Sequence, residues 1–309
     1  MMSMLKPLVS VIIPTYKRSD TLSRAIDSVL NQSYKEIEII VVDDNNANDT
    51  YRRKTEQLML NYNNHRNLYY LKHSENKNGA AARNTGINIA KGKYIAFLDD
   101  DDEFLSDKIE NQVSAMENLD NSYGACYTGY KKLKANGKYE YGDETRQGNL
   151  LVETLMRSLF IYGGSNLMVK SKVIKKIKGF DESFTRNQDL ELLAKIAKVS
   201  KIAYVNSCSL IMHYDSRVTT FSPEHMDNID KLYLSKFNKF ILNLNKSDQK
   251  RVFKMIELDR FRLLVVNKRF FEAIKYCISK KINPILITKY IYYIIHRLVT
   301  NKCYGFSIK

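Results

Sequence analysis

The sequence predicts an α/β fold with a mostly parallel central sheet, followed by a helical C-terminal extension. Three observations carry this reading. Apolar, β-branched runs alternate with amphipathic stretches through the first hundred residues. Each apolar run stops at a proline, a turn or an acidic segment. From about residue 222 the alternation gives way to helical patterns in which Lys and Arg interleave with Phe, Tyr, Leu and Ile.

LVSVIIP (8–14) is a short β-branched run stopped by Pro14, so it reads as a buried strand. SDTLSRAIDSVLNQ (19–32) carries Leu22, Ala25, Ile26, Val29 and Leu30 at helical spacing, with Ser19 or Asp20 able to cap it. EIEIIVVDD (36–44) is a second buried strand ending in acids. YRRKTEQLMLNY (51–62) reads as a helix and NLYYLKH (67–73) as a short strand. GAAARNTGINIAKG (79–92) is a helix whose last glycine, Gly92, suits a C′ position. KYIAFLDD is the next strand. Strand and helix alternating at this spacing mean βαβ units with right-handed crossovers. Ligands of such sheets bind at the carboxyl ends of strands. Pro14-Thr15-Tyr16, Asp43-Asp44 and Asp99 to Asp102 all lie at those ends.

Beyond residue 105 the pattern coarsens. LSDKIENQVSAMENL is an amphipathic helix. YGACYTGYKKL and KYEYGD read as antiparallel strands about an Asn136-Gly137 turn. GNLLVETLMRSL is helical, GGSNLMVKSKVIKKIKGFDESF mixes strand, helix and loop, NQDLELLAKIAKVS is a helix and KIAYVN a strand.

The run Asp99-Asp100-Asp101-Asp102 sits directly after Ile95-Ala96-Phe97-Leu98. Adjacent carboxylates repel, so a positive group or full solvation has to accompany them. Side chains alternate along a strand, so Asp99 and Asp101 project to one side and Asp100 and Asp102 to the other. A hard cation such as Mg2+ or Mn2+ takes carboxylate oxygens and keeps positions open for phosphate. It could then neutralise a diphosphate leaving group. A solvated acidic loop capping the helix near Ser106 is the alternative. Asp43 and Asp44 suit a ribose hydroxyl or a base N–H, or equally an Asx-turn into the loop NNAND.

Four segments, PLVSVIIPTYKR, EIEIIVVDDNNANDT, NGAAARNTGINIAKGKYIAFLDDDD and GFDESFTRNQDLELLAKIAK, occur together in the order and spacing of the family 2 glycosyltransferases. The chain resembles that family over about residues 6 to 215. The resemblance implies a GT-A fold over 1–221, a nucleotide-diphospho-sugar donor (a UDP-sugar), Mn2+ or Mg2+, and inversion at the anomeric carbon. It implies that Pro14 and Tyr16 flank the base, that Asp44 contacts it, and that Arg83 lies near the base or phosphates. Asp99 would sit by the ribose with Asp100 next to it, and Asp101 would bind the metal.

Asp189 in RNQDLELL matches the family's catalytic base. Inverting transfer is one in-line displacement, so a single carboxylate must deprotonate the acceptor hydroxyl from hydrogen-bond distance. The same position suits a first-turn helix acid. Glu191 is a rival expected to face elsewhere. Asp181 and Glu182 in GFDESF resemble the acceptor-side loop. In some GT-A enzymes a late histidine completes the metal shell, and His213 is the candidate, with His225 a weaker one.

The chain has 309 residues and a formal net charge of +15. Eighteen Lys and Arg against seven Asp and Glu fall after residue 220, so most of that excess lies in 222–309. Such asymmetry suits an anionic partner. An anionic membrane surface would suit a glycan or lipid-linked glycan acceptor at the inner face of a cell membrane. Packing of these helices on the catalytic domain is the alternative. No nucleic-acid motif accompanies the charge, so no nucleic acid is expected. Cys126, Cys208, Cys277 and Cys303 are scattered, with no CxxC pair, which fits a reduced cytoplasmic setting. The start lacks a signal-peptide pattern, and PILITKYIYYIIH is broken by Lys289. The competing readings are an inactive sugar-nucleotide-binding module and a nucleic-acid-binding α/β protein.

Overall fold

A computed structural model of the chain describes residues 6–184, 187–213 and 223–308. It divides into two units, Met1–Leu150 with Ile161–Tyr214, and Leu151–Phe160 with Asp215–Lys309. The single boundary expected at 221/222 therefore misses one exchange: residues 151–160 group with the C-terminal helices.

The first unit opens with β1 (Val9–Thr15), α1 (Ser19–Leu30), β2 (Ile37–Asp43), α2 (Thr50–Met59), a short 3-10 turn (Leu60–Tyr62), β3 (Leu68–Lys72), α3 (Gly79–Ile89) and β4 (Tyr94–Phe97). β1 pairs in parallel with β2 (Val9 opposite Ile37) and with β4 (Val9 opposite Tyr94), and β3 adds to β2. Every residue of β2 and β4 is buried. This is why β4 reads as an unbroken apolar run; β2 departs from it at Glu38, which is buried and accepts from the Ser10 hydroxyl at 2.6 Å.

The remainder comprises β5 (Glu103–Phe104), α4 (Lys108–Asn118), β6 (Tyr123–Leu133) and β7 (Tyr139–Gly142). After α5 (Leu151–Leu155) come α6 (Gly163–Asn166), β8 (Met168–Lys170), α7 (Ser171–Ile177), α8 (Gln188–Val199) and β9 (Lys201–Met212). The sheet runs β7-β6-β8-β4-β1-β2-β3, with β9 pairing β6 and β5. β8 is antiparallel to β4 and to β6, and β9 is parallel to β6. The sheet is thus parallel from β4 through β3 and mixed beyond. β6 and β7 turn at Asn136-Gly137 as expected, Gly137 taking φ +74°.

The second unit is α5 with α9 (Pro223–Leu242), α10 (Lys246–Val266), α11 (Phe270–Ser279) and α12 (Pro284–Thr300). Its core holds Tyr233, Phe237, Ile241, Val252, Leu258, Tyr290 and Tyr293. Tyr233 donates to the Leu155 carbonyl at 2.5 Å and stacks on Phe237. Arg157 lies over the Tyr233 ring and donates to Asp230 at 2.8 Å. Burial opposes its charge, and Asp259 and Asp230 hold its pKa up. Asn283 caps α12 by accepting from the Ile285 N–H, with Pro284 in the first turn. Among the described residues no helix is long and apolar enough to cross a membrane.

Three local expectations change. β1 does not stop at Pro14 but runs through it to Thr15. The β4 pairing ends at Ile12 opposite Phe97, so Pro14 sits where only β2 remains beside it, a position that tolerates a residue without an N–H. Ser19 and Asp20 do not cap α1; the helix begins at Ser19, Arg18 occupies the cap position, and Asp20 lies in the first turn near the positive helix end. Gly92 is not a C′ residue. α3 ends at Ile89, and Gly92 lies where the chain re-enters the sheet. A Cβ there would stand 2.6 Å from both the Ser10 nitrogen and the Tyr94 oxygen. These atoms are backbone and cannot turn aside. Gly92→Ala is therefore expected to lower stability by about 1–3 kcal/mol, the range for overpacking. Urea denaturation would show this as a lower midpoint with an unchanged slope.

Candidate active site

The four aspartates follow β4 in a tight turn, closed by the Asp102 N–H donating to the Asp99 carbonyl at 3.1 Å, so the strand alternation expected of them does not apply. Asp100 and Asp102 are buried, while Asp99 and Asp101 are half-exposed. Asp100 turns toward the end of β1. It accepts from the Thr15 hydroxyl at 2.7 Å, the Tyr16 N–H at 3.3 Å and Arg18 at 3.0 Å. Burial pushes its carboxyl up to about 7, with Arg18 and the Thr15 hydroxyl pulling the other way. Arg18 also reaches Asp101 at 2.8 Å, and Arg24 donates to the Asp101 carbonyl at 2.6 Å. Asp102 turns toward α6. It accepts from the Ser165 hydroxyl at 2.6 Å, and that hydroxyl accepts the Asp99 N–H at 3.0 Å. Burial and the Asp99 charge hold the Asp102 carboxyl well above the usual range, against the Ser165 hydroxyl and the His213 N–H.

Asp99 is paired with Arg83, which α3 carries to the same place. The Arg83 guanidinium also lies over the Phe180 ring, 5.6 Å from its centroid, and donates to the Gly79 carbonyl. Asp189 is the third member. It stands in the first turn of α8 and lines, with Arg83, Asp99, Asp102 and Tyr162, a cleft of about 330 Å³. Gly163 and Gly164 make room for the two acids. A Cβ on Gly164 would stand 2.8 Å from the Asp99 carboxylate, and one on Gly163 would stand 3.4 Å from the Asp189 Cβ. Three segments far apart in the chain thus meet beyond the end of β4.

The Asp189 side chain keeps surface toward the solvent of the cleft but is ringed by protein. That desolvation raises its pKa, opposed by the Leu190 N–H and the Arg83 charge. Glu191 points the other way: it is buried, pairs with Lys195 at 3.0 Å and accepts the Asp181 N–H at 3.1 Å. Asp181 and Glu182 do not line the cleft. Asp181 accepts the Ser183 N–H, and Glu182 accepts from Asn84, which also clasps the Phe180 backbone in both directions. The loop after Gly179 is thereby tied to α3.

At the end of β2, Asp43 is a structural acid. It pairs with Arg52 at 2.9 Å and accepts from the Tyr70 hydroxyl at 2.6 Å and the Asn45 N–H. Asp44 accepts from the Lys77 N–H (2.8 Å), the Asn78 N–H (2.9 Å) and the Asn76 amide (2.8 Å), and meets His73 Nδ1 at 2.7 Å. Its two oxygens offer about four acceptor positions, and protein groups fill that number. In this structure Asp44 therefore fastens the 73–78 loop; a base N–H would have to displace one of these partners. Pro14 and Tyr16 flank the adjoining end of β1, where the Tyr16 ring is exposed beneath Lys17.

The donor set at Asp99 and Asp101 is hard oxygen, partly open to solvent, and an arginine already supplies positive charge beside Asp101. That chemistry fits a divalent cation. His213 Nε2 lies 3.1 Å from Glu103, so joining such a site requires it to leave that partner. Among the described residues no three His, Cys, Asp or Glu side chains already converge as a metal site. The side chain of His225 lies outside the described residues. Sequence reading had not assigned Arg18, Arg24, Thr15, Ser165 or the Gly163-Gly164 pair. Arg18 carried the clearest signal, being a cation four residues past Pro14 at the strand end that faces the acids.

The sequence profile of glycosyl transferase family 2 matches residues 10–178. An uncharacterized glycosyltransferase of Rickettsia typhi is 33% identical over 244 residues, 75% of this chain and 73% of that protein. The chain spans from 28% to 73% of the length of the Rickettsia relatives it matches. A UDP-Glc:alpha-D-GlcNAc-diphosphoundecaprenol beta-1,3-glucosyltransferase of Escherichia coli is 42% identical over 110 residues, 36% of this chain and 41% of that one. Among solved structures, a Pyrobaculum calidifontis mannosyltransferase in complex with GDP-Man and Mn2+ superposes with a TM-score of 0.61 at 18% identity, covering 89% of this chain and 76% of that one. At that identity the likeness speaks for the fold alone, and it agrees with the expected GT-A architecture. By profile, by relatives and by fold, the chain belongs to glycosyl transferase family 2.

Proposed function

We propose that the chain moves a sugar from a nucleotide-diphospho-sugar, with uracil as the base, to a hydroxyl of a glycan or lipid-linked glycan, inverting the anomeric carbon. The observation that carries this reading is the meeting of Arg83, Asp99 and Asp189 in one cleft at the carboxyl end of β4. The base would lie against Pro14 and Tyr16, with the Asp44-fastened loop closing that end. Arg83 would face the diphosphate, and Asp99, with Asp100 behind it, the ribose. Asp101, joined by His213, would hold Mn2+ or Mg2+, which supplies Lewis-acid stabilisation of the diphosphate leaving group. The Escherichia coli relative, named for a UDP-glucose donor and a diphosphoundecaprenol-linked acceptor, supports the donor base and the acceptor class. The mannosyltransferase bound to Mn2+ supports the metal.

Asp189 is the general base of this scheme. Its carboxylate accepts the proton of the acceptor hydroxyl as the oxygen attacks the anomeric carbon, and the nucleoside diphosphate departs from the opposite face. Asp181 and Glu182 stand on the loop that would meet the acceptor, which Asn84 holds to α3.

Binding comes first as a test. A ligand that binds only the native state at a hundred times its Kd adds about 2.7 kcal/mol of stability. UDP with Mn2+ is expected to raise the melting temperature of the wild type, and Asp101→Ala is expected to abolish the manganese-dependent part. A shift in the variant equal to that in the wild type would remove Asp101 from the metal site.

Kinetics test the base. Asp189→Asn is expected to lower kcat by about 10²–10⁴-fold, the usual contribution of a positioned base, with the UDP shift retained. Only ionised Asp189 can take the proton, so kcat/KM rises with pH through its pKa. Because that pKa is raised, the acid limb should lie above the ordinary carboxylate range. A variant at near wild-type rate would rule Asp189 out.

A further inference from the structure

The basic C-terminal segments do not behave alike. On α9, Tyr233, Phe237 and Ile241 are buried, so its aromatic pattern is core. α12 instead has two apolar faces. One carries Tyr290 and Tyr293 into the interior beside Phe306. The other carries Ile285, Thr288, Tyr292, Ile295 and Val299, at steps of three and four, in one line along the helix. All five are exposed, Tyr292 at 70% and Val299 at 76%, and Ile291 and Leu298 flank the line. It extends about 21 Å at 1.5 Å per residue. α11 repeats the pattern on a smaller scale with Phe271, Ile274 and Ile278, Phe271 being 91% exposed. A patch of this size on one helix calls for a partner.

Charge selects which partner. From Ala273 to Lys309 there is no Asp or Glu, against seven Lys and Arg. Lys280, Lys281 and Lys289 are exposed around α12. A second copy pairing face to face would bring two acid-free, basic surfaces together, which like charges oppose. Nucleic acid would meet the lysines but leave the apolar line in water. An anionic bilayer satisfies both: acyl chains receive the apolar side chains and headgroups receive the lysines. A 17-residue helix interrupted by Lys289 lies in such a surface rather than crossing it.

We propose that the Ile285–Val299 line of α12 is the face by which the chain docks on an anionic lipid surface, with the exposed face of α11 as a second contact. Its purpose rests on the lipid-linked acceptor proposed above, but its test needs neither donor nor acceptor.

The experiment is flotation of the full chain with vesicles of phosphatidylcholine alone and of phosphatidylcholine with one quarter phosphatidylglycerol. The wild type should float with the anionic vesicles only, and less at high salt. Ile295→Glu with Val299→Glu should weaken binding at least tenfold while melting temperature and the UDP-dependent shift stay unchanged. Lys280→Glu with Lys281→Glu should weaken it similarly and provides the test should the first pair disturb folding. Wild type that fails to float with anionic vesicles overturns the proposal, as do apolar-face variants that float like wild type. Sedimentation showing a dimer that Ile295→Glu dissociates would assign the face to a second copy and also overturn it. Flotation without any nucleotide shift would overturn the donor reading and leave this one standing.

Discussion

Four adjacent carboxyl groups at the end of one strand are the constraint around which the first unit is arranged. Left alone they would repel and fray the end of β4. The turn that follows β4, closed by the Asp102 N–H on the Asp99 carbonyl at 3.1 Å, buries two of them and leaves two half-exposed. The buried pair, Asp100 and Asp102, has its carboxyls pushed up, so burial itself discourages their charge. Arginines from two other elements answer the half-exposed pair: Arg18, at the start of α1, meets Asp101, and Arg83 of α3 meets Asp99. Neutralising the acids therefore fixes where α1 and α3 begin relative to β4, and the same contacts shape the cleft.

The placement of Arg83 depends on a further chain of contacts. The Asp44 carboxylate holds the Asn78 N–H, and Asn78, at φ +90°, turns its side chain to accept from the Ala80 and Ala81 N–H groups. That cap sets the first residue of α3, and Arg83 follows one turn later. Gly86 on the same helix lies against Ile12 of β1, where a Cβ would stand 2.6 Å from the isoleucine side chain. Asp44 thus acts on the Asp99 pair at a distance, through loop and cap, before any ligand is considered. His73, which joins Asp44 to Thr85 at 2.7 and 2.9 Å, locks the same loop from behind.

The parallel half of the sheet was legible because strands buried on both faces are mostly apolar, and β2 and β4 run into acids. Arg83, Asp99 and Asp189 were legible through a family resemblance, because they occupy motifs that recur together. The groups answering the acids were harder to read. Arg18 and Ser165 lie more than sixty residues from the carboxyls they bind, and one arginine or serine carries no period. Gly163 and Gly164 matter for what a Cβ would strike, and that depends on two other segments. The exchange of 151–160 into the helical unit left no compositional break. α12 shows the limit most plainly: apolar residues on two faces tell that both need cover, but not which one the protein itself covers.

Arg18 bears on how the acidic strand end could serve a doubly charged ligand. It stands 2.8 Å from Asp101 and 3.0 Å from Asp100, where it offsets charge that would otherwise be unbalanced. A divalent cation at Asp101 would compete with it for the same oxygens, and two positive groups cannot both remain there at close range. Asp100 gives Arg18 a second partner on the buried side, so the arginine can yield Asp101 without losing every carboxylate contact. Asp100, the second aspartate in the run, is then no redundancy. It would keep the guanidinium paired if a metal ion took its place on Asp101.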